Sequence, residues 1–329
     1  MSLPKHSLLL ALPRVSPADL VDSESLPMLR RGKVRRTSES VEVLDRILGL
    51  LNRDALGEGR AALRYLGQTG AAPAAWIAAA DPVHMETCID HIRIHALPPA
   101  AVSPADLEVS FERLQKALGH DPNDQAVTVD TLAFRAVGET GYIESRAVPL
   151  ETPQVSGLAV NGREPSPFMP DGTDGDGGQR FHRLHSEVQM VFHDASLLAA
   201  HPERGNVAVN GLWIWGGGRL PVVSDSELPA LFSDDDLVSG YWRAAGAEPK
   251  TLPDDLRDCV ATGGSPFVVV CVRRDPNAVQ QAIDLLKAGE LGRLTLLLEG
   301  DLVVDLSRAD RFRFWRRPDP ALDVSRELG

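Results

Sequence analysis

The strongest constraint on the fold comes from two apolar runs near the end of the chain and the helical pattern that separates them. Residues 267–272 form a continuous apolar run, typical of a strand buried on both faces. Asp275 and Pro276 are residue types that cap a helix and occupy its first position, and Gly289 is placed to end it. A second apolar run follows at 294–298. A strand, a crossover helix and a strand predict a βαβ unit with parallel pairing.

Three further segments extend this pattern. The run at 7–12 predicts another strand buried on both faces, and 207–215 predicts a further strand. Residues 235–246 have the spacing of a helix. We therefore predict an α/β fold with a doubly wound, mainly parallel sheet.

The two parts of this sheet lie at opposite ends of the sequence, and this separation predicts a discontinuous core. The N-terminal part is too short to be a domain alone, so we assign residues 1–70 and 205–329 to one core. Residues 72–204 then form an inserted α+β domain. Within the insertion, 151–180 is rich in Pro, Gly and Asp and is predicted to be a loop.

The inserted segment has its own order of elements. Residues 89–95 alternate as a half-exposed strand, and Ser103 followed by Pro104 predicts a helix start. Two strands are expected at 126–137 and 142–148. A helix is expected at 180–200, with its histidines beside an apolar face.

Charge and composition limit the classes of partner. The 329 residues carry 34 Lys and Arg against 46 Asp and Glu, a net charge of −12 that makes direct nucleic-acid binding unfavourable. No apolar run is long enough for a transmembrane helix, so no membrane role is expected. The three cysteines, widely spaced, fit a reducing cytoplasm.

Two basic clusters interrupt this acidic balance. Arg30–Arg36 lies within a segment, 26–66, that has helical spacing, and is predicted to be a solvated helix end and loop. The alternative is contact with an anion or an acidic partner. Arg311–Arg317 alternates with aromatics and is predicted to be an edge strand with its arginines outward.

One glycine-rich motif is a candidate binding site. The sequence Asn-Gly-Leu-Trp-Ile-Trp-Gly-Gly-Gly-Arg-Leu-Pro spans 210–221, so a strand enters a triple-glycine turn followed by Arg219. Exposed amides and an arginine there would hold an anion. The alternative is a tight turn whose tryptophans pack on the sheet. The candidate ligand-binding residues are Asn210, Trp213, Trp215, Gly216, Gly217, Gly218 and Arg219.

This motif resembles the Asn-x-x-Trp-x-Trp-Gly-x-Gly-x-x-Pro signature of the archaeal-type, cofactor-independent phosphoglycerate mutases, which belong to the alkaline phosphatase superfamily. A closer resemblance is to the RpfE-type regulatory proteins of bacteria. It is carried by 80–84, 187–190, 213–218 and 313–317. The resemblance implies an alkaline-phosphatase-like core and, in the mutases, two divalent metals, Mn or Zn, bound at strand ends.

The metal positions that the resemblance implies are largely lost here. The first strand is followed by Pro13-Arg14 where the mutases have an Asp-Gly motif. Only Asp275 survives after the strand at 267–272, and only Asp301 after the next. Two carboxylates cannot offset the charge of two divalent metals. The sequence also lacks a nucleophile elbow and a P-loop.

We therefore expect a degenerate, non-catalytic protein that binds a small anionic ligand or a protein partner, without metal or cofactor. The alternative is a metal-dependent phosphatase or phosphomutase with relocated ligands. Its candidate ligands are His182, His185, His193, Asp194, Asp275 and Asp301. An unrelated enzyme or a nucleic-acid-linked factor is a third hypothesis, supported only by the basic clusters.

Overall fold

The computed structural model describes most of the chain. The residues outside its description are 1–3, 5, 22, 38–41, 98–100, 120–131, 147–148, 173–175, 195–208, 225–226, 265, 314, 316–318 and 323–329. The described residues divide into two compact units. The first consists of Met1–Leu56 and Val222–Gly329, and the second of Gly57–Pro221.

Strands and helices alternate along most of the sequence. The strands are β1 (Ser7–Ala11), β2 (Lys33–Arg36), β3 (Trp76–Thr87), β4 (Ile92–Ala96), β5 (Leu132–Val137), β6 (Thr140–Ser145), β7 (Gly211–Gly218), β8 (Ala230–Ser233), β9 (Phe267–Val270), β10 (Arg293–Leu297) and β11 (Leu302–Ser307). The α-helices are α1 (Leu26–Leu29), α2 (Val43–Leu50), α3 (Arg60–Thr69), α4 (Pro104–Leu118), α5 (Asp176–Asp194), α6 (Asp236–Ala244), α7 (Leu256–Gly263) and α8 (Asn277–Ala288). The 3-10 helices are Pro17–Leu20, Ser166–Phe168, Arg308–Phe312 and Pro320–Leu322.

The first unit is built on a mixed sheet in the order β2-β11-β10-β1-β9-β8. The four strands β10, β1, β9 and β8 are parallel, and β11 and β2 are antiparallel additions. All five residues of β1 are buried, because both of its edges are hydrogen-bonded and both faces are covered. The predicted α/β class is confirmed. The strands β9 and β10, connected by α8, are parallel as predicted, but they do not pair with each other because β1 lies between them. Helix α8 begins one residue later than expected, with Asp275 accepting a hydrogen bond from the Asn277 amide at 3.0 Å.

The second unit contains an antiparallel sheet in the order β4-β3-β6-β5, with β7 on the other edge of β3. Helix α4 starts as predicted, since the Ser103 hydroxyl accepts from the Asp106 amide at 3.1 Å. Helix α5 begins at Asp176, inside the segment predicted to be a loop. Of the strand predicted at 126–137, only 132–137 lies among the described residues, and these form β5.

The strand at 207–215 was wrongly assigned to the parallel core. Its described part belongs to β7, which pairs antiparallel with β3, Trp215 lying opposite Ala79 and Leu212 opposite Pro82. Helix α3 lies against the same two strands. The chain consequently passes from the first unit to the second at residue 57 and returns to the first after residue 221. The sequence predicted these two boundaries near residues 70 and 205. Apolar alternation predicts a strand but does not specify the strand with which it pairs.

The basic clusters also differ from expectation. Residues 33–36 form β2, an outer strand paired with β11, and so are not a helix end. Residues 308–312 form a 3-10 helix in place of the predicted edge strand, and Phe312 is exposed. Among the described residues, no helix has the length and apolar character needed to cross a membrane.

An ion pair between the buried Arg64 and the half-buried Asp81 lies within the second unit. Arg64 of α3 donates from Nη1 to both carboxylate oxygens of Asp81 on β3, at 2.8 and 2.9 Å. Its Nε donates to the Tyr142 hydroxyl at 3.0 Å, and Trp215 Nε1 donates to Asp81 at 2.7 Å. Burial disfavours the Arg64 charge, but Asp81 and Tyr142 outweigh it and hold the pKa of Arg64 above its ordinary value. This network joins α3 to three strands of the sheet.

Replacing Arg64 by Met should therefore destabilise the protein by about 3 kcal/mol, because it leaves the half-buried Asp81 carboxylate without its cation. The matched control is Arg135→Met, which removes a half-exposed ion pair with Glu144 and should cost below about 1 kcal/mol. Urea unfolding followed by circular dichroism measures both. Equal losses in the two variants would contradict a central role for the Arg64 network.

Candidate functional site

The tryptophans of the glycine-rich motif are part of the core. Trp213 and Trp215 are fully buried on β7. Trp213 Nε1 donates to the Val155 carbonyl at 2.8 Å, and Trp215 Nε1 donates to Asp81. Each indole N–H therefore has a partner within the protein, as buried tryptophans require.

The side chain of Asn210, the residue before β7, continues the hydrogen bonding between β7 and β3. Its Oδ1 accepts from the Met85 amide at 2.6 Å, and its Nδ2 donates to the Met85 carbonyl at 2.8 Å. The carboxamide thus pairs with the edge of β3 as a backbone peptide would. It fixes the start of β7.

The three glycines provide close backbone packing. The Gly216 amide donates to the Pro153 carbonyl at 2.6 Å, and the Gly217 amide donates to the Thr152 hydroxyl at 2.8 Å. Gly218 lies against Gly59, where an added Cβ would come within 2.4 Å of the backbone nitrogen. Only Arg219 of the candidate set is exposed. Since the Gly216 and Gly217 amides are already bonded within the protein, this geometry favours the tight-turn interpretation over an anion cradle.

Gly217→Ala should destabilise the protein by about 2–3 kcal/mol, because an added Cβ would lie 2.4 Å from Trp76 Cζ2 and 2.6 Å from Thr152 Oγ1. Gly157→Ala is the control, since its Cβ would meet Trp213 Cδ1 at an ordinary 3.6 Å and should change stability by less than about 0.5 kcal/mol. Thermal unfolding compares the two. A tolerated Gly217→Ala variant would refute this account of the turn.

A second candidate site lies at the carboxyl ends of the parallel strands in the first unit, the edge at which such sheets bind ligands. The chain places arginines here: Arg14 after β1, and Arg273 and Arg274 after β9. Arg274 pairs with Asp19 and holds the pKa of that carboxyl below its ordinary value. Arg273 Nε donates to Asp234 at 3.1 Å. The two arginines after β9 are thus both engaged in ion pairs, while the Nε of Arg14 is buried without a hydrogen-bond partner among the described residues.

The surviving carboxylates have other partners. Asp275 accepts from the Asn277 amide at the start of α8, and Asp301 pairs with Arg36. Arginines beside strand ends do not fit a centre of two divalent metals. Across the described residues, no three His, Cys, Asp or Glu side chains are grouped to hold a metal ion.

The histidines of α5 are in the other unit. His182 Nε2 is 2.6 Å from the Pro170 carbonyl, and His185 is buried against the Phe181 ring. Burial, with His182 nearby, lowers the pKa of His185 to about 4. The side chains of His193 and Asp194 lie outside the described part of the chain.

A cleft of about 240 Å³ opens at the end of β9. It is lined by Cys271, Arg273, Arg274, Asp275, Asp254 and Gln281, among others. Burial, together with the nearby carboxylate of Asp234, raises the pKa of the Cys271 thiol to about 11. The thiol is therefore protonated at neutral pH and is not an activated nucleophile.

Asp235 lies at the end of β8 and caps α6 by accepting from the Val238 amide at 2.9 Å. Burial, with Asp236 and Asp234 nearby, raises its pKa to about 6 in spite of this cap. The folded protein therefore holds this proton more tightly than the unfolded chain. Protonation of Asp235 therefore stabilises the folded protein. This stabilisation is complete below pH 3.8 and is lost as the pH rises through about 6.

Asp235→Asn should remove this pH dependence and keep the cap, because Asn is also a good N-cap residue. The free energy of unfolding of the wild type, relative to the variant, should rise as the pH falls from about 7 to about 4. Urea unfolding across this range measures it, with the exposed neighbour in Asp236→Asn as control. A constant difference between wild type and Asp235→Asn would disprove the raised pKa.

One charged residue at this edge was not identified by the sequence analysis. Arg46 of α2 is only 5 % exposed, and its Nε and Nη1 atoms are buried without a hydrogen-bond partner among the described residues. Burial lowers the pKa of its guanidinium, while Glu42 and Asp301 act in the opposite direction. Asp301 follows β10, so Arg46 lies near the carboxyl end of that strand. No sequence motif marks it, because it is an ordinary arginine in a short amphipathic helix.

Comparisons with known proteins concern the fold alone. No family model and no curated protein matches the sequence. The chain is similar in structure to the PH0037 protein from Pyrococcus horikoshii, with a TM-score of 0.50 and 12% identity over 97% of this chain and 92% of that one. It is also similar to the cofactor-independent phosphoglycerate mutase from Thermoplasma acidophilum, with a TM-score of 0.40 and 14% identity over 92% and 90%. Membership of the RpfE-type family stays a prediction.

Proposed function

We propose that this protein is a non-catalytic binding protein that holds a small anion at the carboxyl edge of its parallel sheet and serves a regulatory role. The observation that carries the proposal is the buried guanidinium of Arg46, which has two nitrogens without hydrogen-bond acceptors in the described structure. The resemblance of the 210–221 motif to phosphoglycerate mutases supports a phosphate or a phosphorylated small molecule as the ligand class.

A buried donor without an acceptor costs about 1–3 kcal/mol, and more when it is charged. An oxyanion would supply acceptors to Arg46 and form charge-assisted hydrogen bonds, the stronger kind. Asp301 already pairs with Arg36, so this carboxylate is partly neutralised.

The proposed site binds its ligand without transforming it. Phosphoryl transfer in the mutase-like family depends on two metals and an activated hydroxyl nucleophile, and the strand ends here carry ion-paired arginines instead. Cys271, the nucleophilic residue type lining the cleft, holds its proton at neutral pH. In the proposed binding, the Arg46 guanidinium holds the anion and no divalent metal takes part.

The test compares the wild type with Arg46→Met in thermal unfolding, with and without inorganic phosphate or 3-phosphoglycerate. The wild type should gain stability as either anion is added, because the ligand binds only the folded state. Without ligand, Arg46→Met should change stability by less than about 1 kcal/mol, because it removes two unsatisfied buried donors but also the cation beside the buried Glu42 carboxylate. With ligand, the variant should show no further gain.

The matched control is Arg257→Met, which removes a half-exposed arginine paired with Glu290 in the same unit and should keep the full response. Two observations would overturn the proposal: an equal response in Arg46→Met, or two bound Mn or Zn ions per chain by elemental mass spectrometry after equilibration and desalting. The second result would favour the metal-dependent phosphatase, and phosphomonoester turnover would then be measured.

A further inference from the structure

The fold joins the two basic clusters of the sequence on one edge of the first sheet. Arg31 Nη1 donates to the Arg311 carbonyl at 2.7 Å, although 280 residues separate them. Gly32 allows this approach, because an added Cβ would lie 2.8 Å from both Leu306 Cδ2 and Val304 Cγ1. We name the surface formed by the exposed and half-buried residues within 30–36 and 301–313, together with Trp315, the basic edge.

The basic edge has a charge opposite to that of the protein. Residues 30–36 and 301–313 contain eight basic and three acidic residues, in a chain with a net charge of −12. The three carboxylates pair with one arginine each, in Arg35–Asp305, Arg36–Asp301 and Arg313–Asp310. Positive charge is therefore in excess here, and Lys33, Arg308 and Arg311 are exposed.

Two large aromatic side chains are exposed beside these charges. Phe312 is 58 % exposed and Trp315 is 70 % exposed. The Arg311 guanidinium lies 4.5 Å from the centre of the Phe312 ring, a cation–π contact at the surface. Arginine and tryptophan are the residue types that most often dominate the energy of protein interfaces.

We propose that the basic edge docks an acidic segment of a partner protein, with Trp315 and Phe312 contacting apolar side chains of that segment. The residues that carry this proposal, Lys33, Arg311, Phe312 and Trp315, are not part of the proposed anion site, although the Arg36–Asp301 pair lies near Arg46. The excess positive charge attracts carboxylates, and the aromatic rings provide apolar contact area. On this side, β2 is the outermost strand of the described sheet. The lysine and arginines of β2 disfavour pairing with β2 of a second copy of the chain, because like charges repel.

An acidic polypeptide fits this surface better than a nucleic acid does. The favourable potential is confined to two short segments, and the rest of the chain carries the excess of carboxylates. A polyanion longer than the basic edge would meet repulsion beyond it. A peptide can carry its charges and its apolar side chains in the same short segment.

The test measures binding of the full chain to a short fluorescein-labelled peptide in which Glu and Asp alternate with Leu and Val, by fluorescence anisotropy. Binding should weaken between low salt and about 0.15 M salt, as expected for exposed charges. Trp315→Ala and the double variant Lys33→Glu/Arg311→Glu should each weaken binding about tenfold or more. The control Arg257→Glu, an exposed arginine outside the basic edge, should leave binding unchanged.

Two further probes make the result decisive. A peptide with Gln and Asn in place of Glu and Asp should bind at least about tenfold more weakly, because the charge attraction is lost. A single-stranded oligonucleotide of similar length should also bind more weakly than the acidic peptide. Absence of peptide binding, insensitivity to the basic-edge variants, or tighter binding of the oligonucleotide would each overturn the proposal. Circular dichroism and thermal unfolding of each variant confirm that it is folded.

Discussion

The first unit depends on β1, a five-residue strand in which every side chain is buried. Its backbone groups cannot bond to water, so both edges must be paired within the protein. They pair in parallel with β9 and β10, which lie more than two hundred residues further along the chain. The intervening sequence must therefore leave the first unit and return, and residues 57–221 form a compact unit of their own.

The buried arginines Arg64 and Arg46 differ in whether the protein supplies hydrogen-bond acceptors to the guanidinium. This difference distinguishes a structural charge from a candidate ligand-binding charge. Arg64 has Asp81 as a two-oxygen acceptor and Tyr142 as a further one, so its burial is compensated within the second unit. Arg46 is equally buried in the first unit but has two nitrogens without acceptors in the described structure. The contrast explains why an anion is proposed at Arg46, while Arg64 is treated as part of the core.

The glycine-rich motif illustrates the limit of motif-based inference. Its residue types fit both an anion cradle and a packed turn in the sequence. The structure gives Trp213, Trp215 and the amides of Gly216 and Gly217 partners inside the second unit. A motif can therefore persist because its glycines allow close packing, whatever its role in related proteins.

The sequence by itself determined the local elements: β1, the βαβ unit of β9, α8 and β10, and the start of α4 at Ser103. These follow from apolar periodicity and capping residues, which act over a few positions. Only the tertiary structure decided that β7 pairs with β3, that Arg46 is buried, and that Arg31 meets Arg311. Such features depend on contacts between distant segments, and no local pattern encodes which segments meet.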